Sequence, residues 1–278
     1  MFGEHAVVYG KPGIAMAIKP RVFVTVRNTR HAAKAKSPYI DGCFDAMGVV
    51  GSVYINSQIP SSSGLGSSAA VTVATLSAIN DEFKLNKTRE DIANMAFEIE
   101  KTVQKGRASP TDTTVSTYGG IVLITGGSRR RLPPQNIHLV IGDSLVSHST
   151  SKMVEQVSEL RKKHPEIVDP VLDAIQGVSL AAIHHLHNPR ELGRYMNMNH
   201  ALLDALGVGH PQLSRLVLAA RSAGAFGAKI TGAGGGGSMI ALCPRQLKHR
   251  VASAIEACDA RAIVTGIDTE GVRKEKNV

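Results

Sequence analysis

The sequence predicts an α+β fold in two lobes. Strand-like alternation and helix-like runs occur in both halves of the chain. The strands are not regularly separated by single helices, which favours antiparallel pairing. Pro133-Pro134 interrupts the pattern once, placing the lobes at 1–134 and 135–278. With 278 residues, 43% of them hydrophobic, the chain can build one large core or two of ordinary size.

Residues 6–9 form a short apolar run ended by Gly10 and the Pro12-Gly13 turn. Residues 21–27 alternate, with Val22, Val24 and Val26 on one side, as a half-buried strand does. No periodicity is visible over 28–48, and a loop region is expected there. Residues 49–59 read as a strand. A Ser/Gly loop follows, then a helix from about 69 to 83. Residues 88–103 read as a second helix, with Thr88 and Asp91 at capping-box spacing. Gly119-Gly120 precedes a strand at 121–125, and Gly126-Gly127 ends it. Past the proline pair come a strand at 137–141 and helices near 150–163, 166–187, 190–206 and 211–224. A strand at 238–242, a helix at 246–258, a strand at 262–267 and a charged tail complete the chain.

Lys and Arg outnumber Asp and Glu by 32 to 23, a net charge of +9. Such a balance suits nucleic acid, an anionic membrane or small anionic substrates. The charge is spread along the chain. Its one dense cluster, Arg129 to Arg131, reads as a solvated turn or as a field attracting polyanions. Aromatics are 4% and Trp is absent, which argues against base-stacking platforms. The three cysteines are far apart without a C-x-x-C pair, so neither a disulfide framework nor a zinc site is implied. No apolar run reaches the roughly 20 residues that span a bilayer. Glu4 and His5 stand where a signal peptide would turn apolar. A cytoplasmic protein without membrane or nucleic-acid partners is expected.

Four segments carry the chemistry. Pro60-Ser61-Ser62-Ser63-Gly64-Leu65-Gly66-Ser67-Ser68-Ala69-Ala70 is a Ser/Gly loop running into a helix. It suits an anion held by backbone N–H groups and the helix dipole. It is not a Walker loop, since no Lys-[Ser/Thr] pair follows the second glycine; a Ser-rich linker with a Ser cap is the bland alternative. The run Thr231-Gly232-Ala233-Gly234-Gly235-Gly236-Gly237 permits close approach by a ligand, or forms a hinge or tight turn. Asp112, after Pro110, is placed to accept a proton from a substrate hydroxyl or to cap a turn. Glu100, at a helix end, offers a second carboxylate suited to Mg²⁺. Gly3-Glu4-His5-Ala6 holds a histidine that, by itself, is better read as an ordinary surface or core residue.

Together and in this order, these segments resemble the GHMP small-molecule kinases, nearest to the branch that phosphorylates mevalonate. The match runs through Phe2–Gly10, Ser109–Asp112, Ser116–Gly120, Ser149–Lys152, Met198–Val208 and Lys229–Gly237, nearly the whole chain. The resemblance implies an N-terminal lobe like ribosomal protein S5 domain 2 and a ferredoxin-like C-terminal lobe, with the active site between them. It implies ATP phosphates in the 60–70 loop, Mg²⁺ on Ser68 and Glu100, and Asp112 as the base for the C5 hydroxyl of mevalonate. It places Glu4, His5, Thr231 and Gly232 toward the substrates, and it implies a homodimer. Both substrates are anions, which accounts for the basic charge. Alternatives are a relative acting on phosphomevalonate or homoserine, or a catalytically weak ligand-binding member. A phosphorylated acceptor would want extra cations near His5 and Asp112, where the sequence offers Lys11 and Arg107.

Two departures stand out. Lys105 adds a residue between the Glu100 helix and the Asp112 turn, which leaves Glu98 as a fallback metal ligand. The family's P-G-K strand, with its lysine, precedes the G-E-H motif, whereas this sequence opens at the motif. A form extended upstream is therefore expected to be the better kinase.

Overall fold

The computed structural model describes residues 1–29, 37–60, 63–106, 108–126 and 128–275. After a 3-10 turn at Ala6–Tyr9, the chain forms β1 (Gly13–Met16), β2 (Val22–Asn28), α1 (Pro38–Met47) and β3 (Gly51–Ser57). Then come α2 (Ser67–Glu82), α3 (Arg89–Val103), α4 (Thr111–Tyr118), β4 (Ile121–Thr125) and β5 (Ser128–Leu132). The second half holds β6 (His138–Asp143), α5 (Thr150–Lys163), α6 (Pro165–His184), α7 (Pro189–Ala205) and α8 (Pro211–Ser222). It closes with β7 (Gly227–Ile230), β8 (Ser238–Leu242), α9 (Lys248–Glu256) and β9 (Arg261–Gly266).

All strand pairs are antiparallel, in sheets ordered β1-β4-β5, β2-β3 and β7-β8-β6-β9. Alternation along β6 explains how the last sheet is covered. Val140 faces a core with Leu213, Leu216, Val217, Val251 and Ile255 of α8 and α9. Leu139 and Ile141 face the opposite way, toward Leu192 and Met196 of α7 and toward Phe2, Ile14, Ile121 and Leu123 of the first half. The hydrophobic core is thus continuous across Pro133-Pro134. Each such buried Leu or Ile contributes about 1.5–3 kcal/mol. Helices α1, α2 and α3 form their own cluster through Cys43, Met47, Leu76, Ile79, Ile92 and Ala96.

Four expectations need correction. The stretch read as loop contains α1, whose Ile40, Cys43 and Met47 are buried at helical spacing behind a proline start at Pro38. The helix after the Ser/Gly loop begins at Ser67, two residues early, because the serines themselves form its first turn. Arg129 to Arg131 lie in β5 rather than a turn, with Arg131 Nη2 donating to the Thr269 carbonyl at 3.0 Å. And among the described residues one helix, α6, is long and apolar enough to cross a membrane by length and composition, with a mean hydropathy of 1.3. Its Val168, Leu172, Ile175, Val178 and Ala182 are buried in the two large cores.

The capping box stands as read from the sequence. Thr88 Oγ1 accepts from Asp91 N–H at 3.1 Å, and Thr88 N–H donates to Asp91 Oδ2 at 2.8 Å. The extra Lys105 is absorbed in a turn, at φ 53° and followed by Gly106 at φ 82°.

Candidate functional site

One cavity of about 930 Å³ gathers most of the motif residues. Glu4 and His5, Ser63 to Ser68, Ala70, Glu100, Asp112, and Thr231 to Ala233 all line it. Two members of the loop stand back from it. Ala69 is fully buried on the inner face of α2, and Pro60 supports the loop by accepting from Ser63 Oγ at 2.8 Å. Ser61, Ser62 and Arg107 lie outside the described residues.

The loop turns into α2 through Gly66, whose φ of 70° is the left-handed conformation that glycine adopts freely. Among the described residues no side chain caps the helix, so the N–H groups of its first turn are open to another acceptor. A Cβ on Gly66 would lie 3.3 Å from the Asp112 carboxylate, so the loop and Asp112 meet directly.

Asp112 occupies the first turn of α4, which the Pro110 turn starts. It is surrounded by protein, yet its carboxylate surface opens into the cavity. Burial raises its pKa above the usual carboxylate range, as suits a group that must take up a proton. Glu100, on α3, is buried and accepts from Ser68 Oγ at 2.7 Å through Oε1. Burial, with Asp112 nearby, pushes its pKa up to about 7. Glu98 is exposed and pairs with Lys101 at 3.8 Å, so of the two carboxylates it is Glu100 that stands beside Ser68.

The opposite wall belongs to the two ends of the resemblance. His5 Nε2 donates to the Ala233 carbonyl at 2.9 Å, and burial lowers the imidazole's pKa. Glu4 pairs with the fully buried Lys229. Burial alone would raise the Glu4 pKa, but the Lys229 ammonium, the Met1 amino group and hydrogen bonds together outweigh it and hold Glu4 low. The glycine run lies against the Ser/Gly loop. A Cβ on Gly237 (φ 71°) would stand 3.0 Å from the Ser63 carbonyl and 2.6 Å from His148 Cε1. His148 lines the cavity, and Lys229 stands behind it through Glu4; neither was a candidate on the motifs alone. His148 directly precedes the Ser149-Thr150 pair that caps α5, and Lys229 opens the glycine motif itself. Lys11 is remote from this wall, paired with Asp173 and within 3.4 Å of Gln176 on α6.

Ser68 and Glu100 supply two hard oxygens beside an open helix N-terminus. That set suits Mg²⁺, which takes one or two carboxylates and completes its shell with phosphate and water. No group of three or more His, Cys, Asp or Glu that could cage a metal occurs among the described residues.

Comparison with known proteins agrees with this geometry. The family model for the GHMP kinases N terminal domain matches residues 29–120, and that for GHMP kinases C terminal matches 179–260. A mevalonate kinase of Thermococcus sibiricus is 40% identical over 99% of this chain and 95% of its own length. That of Methanothermobacter thermautotrophicus is 39% identical over 88% of this chain and 87% of its own. Among solved structures, Methanococcus jannaschii mevalonate kinase has a TM-score of 0.84 at 28% identity, covering 96% of this chain and 95% of that one. The L. major enzyme in complex with R-mevalonate has a TM-score of 0.85 at 24% identity, covering 98% and 94%.

Proposed function

This chain belongs to the GHMP kinases, and within them to the mevalonate kinases, and from that premise we propose that it transfers the terminal phosphoryl group of ATP to the C5 hydroxyl of mevalonate. The products are 5-phosphomevalonate and ADP, a step toward isoprenoids. One observation carries the reading: Asp112, the uncapped start of α2, and the glycine run line a single cavity.

The roles follow from phosphoryl transfer, in which a protein mostly positions the reactants and stabilises charge. N–H groups of the α2 first turn face the phosphates. The acceptor's hydroxyl oxygen attacks the terminal phosphorus as the bond to the bridging oxygen breaks, ADP leaves, and Asp112 takes the hydroxyl proton. Thr231 and Gly232 close over the reacting groups, and Glu4 and His5 face the acceptor. Mg²⁺ on Ser68 and Glu100 would offset negative charge on the phosphates.

Of the two cations that a phosphorylated acceptor would want, Lys11 is committed to Asp173, and Arg107 lies outside the described residues. The family models fall on either side of Pro133-Pro134, which supports lobes at 1–134 and 135–278. The family resemblance extends the proposal to a soluble, cytoplasmic homodimer, checked by light scattering on the purified protein.

Phosphorus NMR on a reaction with Mg-ATP and mevalonate tests the activity. One new phosphomonoester signal coupled to the C5 methylene, with ADP in equal amount, is expected. Slow ATP hydrolysis without that signal would refute transfer to mevalonate.

A further inference from the structure

Lys229 is the one lysine among the described residues whose side chain is wholly buried, and phosphoryl transfer as derived above does not use it. It sits in β7 directly across from Ile240, on the face that packs with Phe2, Ile14, Leu139, Ile141 and Met196. An ammonium in such surroundings is costly, and replacing a buried ion pair by apolar groups of similar volume is often neutral or stabilising. Stability therefore gives little reason for this pair.

Its contacts supply another. Lys229 Nζ donates to Glu4 Oε1 and to the Ile230 carbonyl. It thereby joins the N-terminal motif to the strand that delivers Thr231 and the glycine run. One residue along, His5 makes the parallel link to Ala233. With Oε1 occupied, Glu4 Oε2 is buried, has no protein partner, and belongs to a residue lining the cavity. A buried carboxylate oxygen without a donor is an unmet demand, and a hydroxyl-bearing ligand can meet it.

We propose that Lys229 is a positioning residue of the acceptor site: its buried ammonium fixes Glu4 by one oxygen so that the other is presented to a hydroxyl of the acceptor. The inference rests on the reading of this cavity as the mevalonate site. It assigns Lys229 no contact with the reacting atoms, so its effect must pass through Glu4.

A mutant cycle tests that dependence: Lys229→Met, Glu4→Gln and the double variant, each with KM for mevalonate, KM for ATP, kcat and melting temperature. Each single change is expected to raise KM for mevalonate about ten- to a hundredfold, the range for losing a hydrogen bond to a charged group, and to leave KM for ATP unchanged. The double variant should be no worse than Glu4→Gln, because the two act as one unit. Its melting temperature should exceed that of Lys229→Met, because neither member of the Lys229–Glu4 pair is left buried without the other. If Lys229→Met fails to fold, the comparison of the double variant with Glu4→Gln still decides. Multiplying effects, a parallel loss of ATP affinity and stability, or a double variant with wild-type kinetics would each overturn the inference. A wild type that binds ATP but never turns over mevalonate would refute the underlying reading as well, and is told apart by that baseline.

Discussion

Asp112 and Glu100 are ordinary carboxylates made unusual by their surroundings. Burial raises the pKa of both, and each then has a different use: Asp112 faces the open cavity, whereas Glu100 is tied to Ser68. Asp112→Asn keeps the shape and removes the base. Turnover should fall about 10²- to 10⁴-fold with ATP affinity by calorimetry unchanged; retention of more than about a tenth of kcat would contradict a base role. Glu100 allows a prediction with a sign. Its pKa of about 7 in the fold lies above the ordinary 4.5, so the folded state holds the proton more tightly than the unfolded chain does. Stability therefore falls as pH rises from about 4.5 to about 7, and the cost is fully present above that range. Without Mg²⁺, Glu100→Gln should raise the melting temperature at pH 8, by up to about 3 kcal/mol of stability, and change it little at pH 4. A variant less stable than wild type at pH 8 would show that the carboxylate is not strained there.

At the scale of elements, two glycine segments from distant parts of the chain set the shape of the site. The Gly66 conformation turns the loop into α2 and leaves room for Asp112 beside it. Gly66→Val adds a branched side chain at positive φ, 3.3 Å from that carboxylate at its Cβ alone. Loss of both ATP binding and turnover is expected, and unchanged nucleotide affinity by calorimetry would mean that the loop is only a linker. These segments were legible in the sequence because glycine clusters and a serine-rich helix start leave a local signal. Helix α4 was not, because Thr111 to Tyr118 is dominated by small hydroxyl residues without an apolar stripe, and its burial comes from packing against α2 and α3 as well as β1 and β4. Helix α1 escaped notice because Gly42 breaks propensity in the middle of an otherwise helical spacing. Spacing alone did not show that α3 turns Glu100, rather than Glu98, toward Ser68.

At the scale of the whole molecule, the cavity lies where the β1-β4-β5 sheet and α2 meet the β7-β8-β6-β9 sheet. The fold class followed from strand and helix patterning. The shared core of Phe2, Ile14, Leu139 and Ile141 did not, because long-range packing leaves no mark in local periodicity. A ligand held between these parts stabilises the native chain by mass action. Mg-ATP at 100 times its Kd should add about 2.7 kcal/mol, visible as a rise in melting temperature; no shift with millimolar nucleotide in folded protein would count against an ATP site. The most direct test of the central claim is kcat/KM, measured by ADP release with saturating Mg-ATP, for mevalonate, phosphomevalonate and homoserine on one preparation. Mevalonate should be preferred by at least about a hundredfold, the discrimination that about 2.7 kcal/mol of lost transition-state contact gives. Equal or faster turnover of phosphomevalonate or homoserine would contradict the assignment of this cleft to mevalonate.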